Sequence, residues 1–243
     1  MATGPISQRA LLVRRFPLFS GVPALEYANI VSSAREKNFS RRQTIFAEGD
    51  SVRQILLLLS GCVKLTQFGQ DGSEVILRLT GPGDIVGALG LVAHGGHCST
   101  AQATEASVAL LWDRPNFESA LERSPVLHRN MLRIMEARLQ DMDQRFREVS
   151  TQKVAPRLSS ELIRLLDQVG KRVNGHVEIS LSRAELAQLT GTTLFTVSRL
   201  LCRWELLGIV SARRESVLVR DLPALVELSL GESESPPLRT ASA

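Results

Sequence analysis

The sequence predicts an α+β fold: an N-terminal antiparallel β-roll of the double-stranded β-helix or jelly-roll type, a long helix, and a C-terminal winged helix-turn-helix. Three observations predict it. Short β-prone runs punctuated by glycine fill residues 39–112, as in a closed or rolled antiparallel sheet. Apolar residues then step by three and four along one helix. Last, a capping box, a glycine and a second amphipathic helix follow one another across Leu181–Val210.

Residues 1–18 read as a loosely ordered lead-in. Phe19–Ser33 carries Leu25, Ala28, Ile30 and Val31 after Pro23 and predicts a short helix. The predicted strands are Thr44–Ala47, Ile55–Leu59, Val63–Phe68, Val75–Leu79, Ile85–Ala88, Thr100–Ala103 and Val108–Trp112. Glu48-Gly49-Asp50, Ser60-Gly61, Gln70-Asp71-Gly72 and Gly81-Pro82-Gly83-Asp84 separate them. A helical region begins at about Arg114, breaks at Pro125 and continues to Val149. Along it Leu132, Met135, Leu139, Met142, Phe146 and Val149 form an unbroken heptad seam, the pattern of a two-helix coiled coil and so of a homodimer. The other reading is an amphipathic helix lying on its own sheet. Lys153–Val169 is the next helix, Gly170–Gly175 a turn, and Val177–Ile179 a short strand.

Ser182 precedes Glu185 by three residues and starts a helix with Leu186 and Leu189 on its apolar face. Gly191 sits where the chain must turn, and Thr192 or Thr193 caps a second helix to about Leu207. Val197, Leu200, Leu201 and Trp204 face inward at helical spacing. Thr196, Ser198, Arg199 and Arg203 remain outside, and this polar face suits a helix lying in a DNA major groove. Base-reading candidates are Arg199, Ser198, Phe195 and Thr196; phosphate candidates are Arg183, Thr193, Arg213 and Arg214. The two wing arginines lie in a turn between Gly208-Ile209-Val210 and the strand Ser216–Val219. The rival reading is an ordinary helical hairpin with surface arginines. Charge distribution favours DNA: residues 151–225 hold 11 Lys and Arg against 7 Asp and Glu, and the rest of the chain holds 18 of each.

The composition is that of a soluble globular protein, 44% hydrophobic and 22% charged, and 243 residues suffice for two cores. The longest purely aliphatic run, Ile55–Leu59, is too short to span a bilayer. Arg9, Arg14 and Arg15 interrupt the early apolar residues, so no signal peptide is read and cytoplasm is expected. Cys62, Cys98 and Cys202 are widely spaced, which excludes a disulfide framework or CxxC clip.

The order of these parts resembles the CRP/FNR superfamily of bacterial transcription regulators. Ala47-Glu48-Gly49-Asp50 and Ser60-Gly61-Cys62-Val63-Lys64 are similar to its early roll, and Asp71-Gly72-Ser73-Glu74 to its hairpin turn. Gly81-Pro82-Gly83-Asp84-Ile85-Val86-Gly87 is similar to the approach to its effector pocket, and Thr196-Val197-Ser198-Arg199 to its operator reader. The resemblance covers residues 18–222. It implies a sensor roll at 18–124, a dimerisation helix and hinge at 125–151, and a winged helix-turn-helix at 152–224; the polar tail 231–243 is expected to be disordered. It also implies a homodimer on palindromic double-stranded DNA, a small-molecule effector, and RNA polymerase as a partner if the protein activates. No membrane is implied.

The departures concern the effector. Cyclic-nucleotide binders of this family place glutamate directly after the pocket glycine, Gly87; here Ala88 and then Leu89 follow. The family's phosphate-binding arginine before Ser or Thr is replaced by Cys98, ahead of Ser99. Met142 and Asp143 stand where small polar residues face the purine, and no cysteine precedes Cys62 to hold an iron–sulfur cluster. Cyclic AMP is therefore not expected as the effector, and no cofactor is certain. Arg78, flanked by Leu77 and Leu79 on the opposite face, is read as a solvated strand arginine, with anion binding as the other reading. His94, His97 and Cys98 are the residues of a haem- or thiol-based sensing alternative, without which no metal is expected. An enzyme is the rival class, but no catalytic triad, Walker loop or dinucleotide fingerprint is present. A ligand-storage or metal-carrier module without DNA affinity is the remaining alternative.

Overall fold

Strand β3 (Gln54–Ser60) explains the aliphatic run at the centre of the N-terminal half. Alternate strand residues point to opposite faces, and here both faces are covered. Ile55 and Leu57 join one apolar cluster, with Phe19, Trp112, Phe117 and Leu127; Leu56 and Leu58 join another, with Val63, Val86, Ala101 and Leu111. The computed structural model describes residues 13–88 and 96–231. It divides into two compact units, Met1–Gln144 and Arg145–Ala243.

In the first unit a 3-10 turn (Pro17–Phe19) and helix α1 (Ala24–Ser32) lead into β1 (Arg35–Phe39) and β2 (Thr44–Phe46). After β3 come β4 (Val63–Phe68), β5 (Glu74–Thr80), β6 (Ile85–Val86), β7 (Thr100–Ala103) and β8 (Ser107–Asp113). Two antiparallel sheets form, ordered β1-β8-β3-β6 and β2-β7-β4-β5. The second cluster fills the roll between them, and α1, α2 (Arg114–Arg123) and the start of α3 (Pro125–Thr151) supply the first. Two polar side chains fix these helices: Trp112 Nε1 donates to Ile30 O at 2.7 Å, and Asn130 Nδ2 donates to Leu18 O and Ser20 O at 3.0 and 2.7 Å.

The sequence reading missed β1, whose residues REKNF are exposed up to Phe39. Its pairing with β8 in full register, Arg35 opposite Leu111 through Phe39 opposite Ser107, holds it in the sheet. Leu79 also departs from expectation. Leu65 and Thr66 of β4 pair with Arg78 and Ile76, so Leu77 is an extra residue bulged out of β5; Leu79 is buried while Leu77 is exposed.

The second unit contains α4 (Val154–Val169), the hairpin β9 (Lys171–Val173) and β10 (His176–Ile179), α5 (Arg183–Thr190), α6 (Leu194–Leu206), the wing strands β11 (Val210–Ala212) and β12 (Val217–Val219), and α7 (Leu222–Ser229). The sheet order β11-β12-β10-β9 joins the wing to the earlier hairpin. The segment read as a turn over 170–175 is thus a strand and a two-residue turn. Asn174 and Gly175 have φ of 49° and 82°, the positive values of an Asn-Gly hairpin turn. Helix α7 was also not anticipated; it extends the domain past 224. Its Leu225 is fully buried, and Asp221 caps it by accepting from Ala224 N at 3.0 Å. The tail from 232 onward lies outside the described residues.

A buried ion cluster joins the last turns of α3 to α4. Arg164 makes a two-pronged contact with Glu148, 2.8 Å on each arm, and meets Glu161 at 2.7 Å; Arg145 pairs with Glu161 at 3.2 Å. Burial alone would push Arg164 down, but the hydrogen bonds to Glu148 and the charge of Glu161 outweigh it and hold the guanidinium above its ordinary value. Breaking one partner of a buried charge pair leaves the other uncompensated. Arg164→Met is predicted to lower unfolding free energy by about 3–5 kcal/mol, measured by denaturant titration. A loss below about 1 kcal/mol, the scale of an exposed pair, would contradict it.

Candidate nucleic-acid interface and effector pocket

The reading head is built by local capping chemistry. Ser182 Oγ accepts from Glu185 N at 3.2 Å, and Glu185 Oε2 accepts from Ser182 N at 2.8 Å, so the reciprocal box starts α5. Gly191 ends α5 at φ 58° in the left-handed region, which suits glycine. Thr193, not Thr192, caps α6 by accepting from Thr196 N at 3.2 Å. Val197, Leu201 and Trp204 are buried and Leu200 is half-buried, so the inner face of α6 is filled as expected.

The outer face of α6 is open. Arg199 and Arg203 are exposed, Thr196 and Ser198 are half-buried, and Phe195 is 76% exposed. Leu194, which sequence reasoning did not single out, is 53% exposed beside Phe195. Two adjacent exposed apolar residues at the head of a helix whose inner face is already filled were the signal for it. Thr193 is exposed, and its hydroxyl lies 3.0 Å from that of Thr196. Arg183 is half-buried, with a buried Nε that has no acceptor among the described residues. The wing arginines differ: Arg213 is 3.6 Å from Glu178, while Arg214 is exposed with no ion pair among the described residues.

Along α3 the seam residues Leu132, Leu139, Met142, Phe146 and Val149 are each at least half exposed. Met135 departs from the seam: it is half-buried and packs against the first unit's core with Ile134.

At the expected effector pocket Ala88 is buried, Cys98 exposed and Ser99 half-buried. Leu89 and His94 lie outside the described residues. Gly87 takes φ 87° beside His97, whose Cε1 is 3.2 Å from where a Cβ would stand. His97 does not join Cys98 in a ligand set. Its ring stacks on Phe46 with centroids 3.5 Å apart and planes within 8°. No group of three metal-ligating side chains occurs among the described residues.

A capped two-helix reader with a β-wing, following a β-roll and a long helix, defines a DNA-binding regulator. The comparisons agree. Residues 36–124 match the cyclic nucleotide-binding domain family and residues 156–228 the Crp-like helix-turn-helix domain family. The cyclic AMP receptor protein of Thermus thermophilus is 29% identical over 216 residues, covering 88% of this chain and 97% of that protein. The CRP-like cAMP-activated global transcriptional regulator of Mycobacterium tuberculosis is 27% identical over 212 residues, covering 86% and 95%. The crystal structure of a CRP-family transcriptional regulator from Thermus thermophilus aligns with a TM-score of 0.68 at 25% identity, over 79% of this chain and 96% of that one. The chain belongs to the CRP/FNR superfamily and is a transcription regulator, not an enzyme. No helix among the described residues is long and apolar enough to cross a membrane.

Burial pushes the His97 pKa below its ordinary 6.5, with the charge of Asp50 opposing. Well above pH 6.5 the imidazole is neutral in folded and unfolded chains alike. As pH falls through that value the unfolded form takes its proton first, so stability drops until the folded pKa is reached. His97→Phe is predicted to remove this acid-side loss, measured by denaturant unfolding at about pH 7.5 and about pH 5.5. An equal loss in the variant would contradict it.

Proposed function

We propose that this regulator is a cytoplasmic homodimer that reads a palindromic operator with α6 and senses, through its roll, a small molecule other than cyclic AMP. The exposed outer face of α6, set against its filled inner face, carries the reading: Arg199 and Phe195 are free to meet base edges. Arg199 binds guanine O6 and N7 together, and Ser198 and Thr196 are secondary contacts. Thr193, Arg183 and Arg214 meet phosphates; Arg213 does so by exchanging Glu178 for the DNA backbone. The exposed seam on α3 supports the dimer, because a row of large apolar side chains in water favours a partner of the same kind. Its five exposed members exclude Met135. RNA polymerase is the further partner if the protein activates.

Two relatives carry cyclic AMP in their names. Cys98 and Ala88 argue against the same effector here. A cyclic phosphate brings a fixed negative charge that requires cations or N–H donors, and the residue at the family's arginine position is an exposed thiol. At Ala88 a buried methyl group replaces the acceptor for the ribose hydroxyl. Each missing hydrogen bond weakens binding by about 1–3 kcal/mol.

Arg199→Ala is predicted to weaken operator binding by about 1–3 kcal/mol and relax one half-site position, measured by footprinting on operators selected in vitro. Unchanged affinity and preference would contradict it. Phe195 packs on a thymine methyl rather than accepting from a cytosine amino group, so replacing thymine by uracil at one half-site position should weaken binding by wild type and not by Phe195→Ala. Equal responses would refute the role of Phe195.

A further inference from the structure

A groove in the second unit is lined by the start of α4, by α6 and by the end of α7. Its volume is about 560 Å³, inside the roughly 300–1,000 Å³ range of sites that hold a bound molecule. Its charge is of one sign. Lys153, Arg199 and Arg203 line it and are exposed, and no carboxylate is among its described lining residues. Its apolar surface comes from Leu200, Leu207 and Leu230, of which Leu207 is 43% and Leu230 69% exposed. Cations set around exposed leucines suit a peptide that carries both carboxylates and an apolar residue.

The chain supplies such a peptide at the groove itself. Gly231 is a lining residue, with Pro156 Cγ 4.0 Å from where a Cβ would stand, so the chain leaves α7 against the start of α4. The residues that follow are Glu232, Ser233, Glu234, Ser235, Pro236, Pro237 and Leu238. Two carboxylates therefore come within three residues of a site that presents three cations. We propose that residues 232–238 dock in this groove, the glutamates on its cations and Leu238 on its leucines, and so compete with DNA for Arg199. A guanidinium that holds a carboxylate cannot also hold a guanine edge. Exposed ion pairs are individually weak, but a short tether raises the effective concentration of the tail to the millimolar range. The tail then occupies the reader in free protein and yields to an operator, whose base and phosphate contacts are more numerous.

This inference rests on the reading of α6 as the operator reader. The test compares the 243-residue chain, a chain stopped after Gly231, and the full-length Glu232→Gln/Glu234→Gln variant, on an operator selected in vitro. Stopping the chain should tighten operator binding about threefold to tenfold at about 50 mM salt, the effect of two exposed ion pairs. The gain should fade at about 500 mM salt, where such pairs are screened. The glutamine variant, which keeps the length, should show the same gain. In Lys153→Glu, removing the tail should gain less than half as much, because one groove cation has been reversed. Without DNA, the amide resonances of Leu200 and Leu207 should differ between the full and the stopped chain. Equal operator affinity in all three forms overturns the inference. An equal gain in Lys153→Glu also overturns it, since the tail would then act only through long-range charge, and so do unshifted resonances. Shifts that follow protein concentration assign the groove to a second copy and overturn docking by the tail. If no form binds an operator, the DNA-reading proposal fails, and the resonances alone decide the docking.

Discussion

The buried cluster of Arg164, Glu148, Glu161 and Arg145 is the constraint on which the reading head depends. Glu148 and Glu161 are 3% and 1% exposed, so each needs a cation at hydrogen-bonding distance to stay charged inside the domain. Arg164 serves both at once. Its planar fork matches two carboxylates in a way a lysine cannot. The consequence is a fixed angle between the last turns of α3 and the axis of α4. Arg157 extends the constraint: its Nη1 is 3.4 Å from both Val149 O and Gln152 O, and its Nη2 reaches Gly191 O at 3.3 Å. The end of the long helix, the chain after it and the turn of the reader are therefore tied by one side chain. Arg157 thus connects Val149 to Gly191, the left-handed residue between α5 and α6.

The roll follows a different logic. Central strands β3 and β8 bury both faces, so they are rigid and apolar. The edge strand β5 can instead carry a charged residue inward. Between β6 and β7 the chain departs from the pattern of the family's cyclic-nucleotide binders, with a methyl group at Ala88 and a thiol at Cys98.

The helix-turn-helix was legible in the sequence because its signals are local. Ser182 and Glu185 cap within one turn, Gly191 takes a left-handed conformation, and Val197, Leu201 and Trp204 repeat at helical spacing. The Asn174-Gly175 hairpin is equally local, but its three- and four-residue strands are masked by the run of turn residues around them. Other features depend on partners distant in sequence. Strand β1 is polar, and only its register against β8 makes it a strand. Met135 fits the heptad seam by spacing, yet packs against the roll's core. The Arg164–Glu148 and Arg145–Glu161 contacts join residues sixteen positions apart on different helices, and no helical spacing rule finds them.

Selection of bound duplexes from a random library, followed by binding measurements against ionic strength, tests the central claim most directly. A homodimer reading DNA through α6 should recover an inverted repeat with half-sites about one helical turn apart. Affinity for it should exceed that for a scrambled duplex by about a thousandfold or more at physiological salt, and should fall steeply as salt rises. Recovery of no common sequence, or of a single unrepeated half-site bound by one chain, would contradict the account.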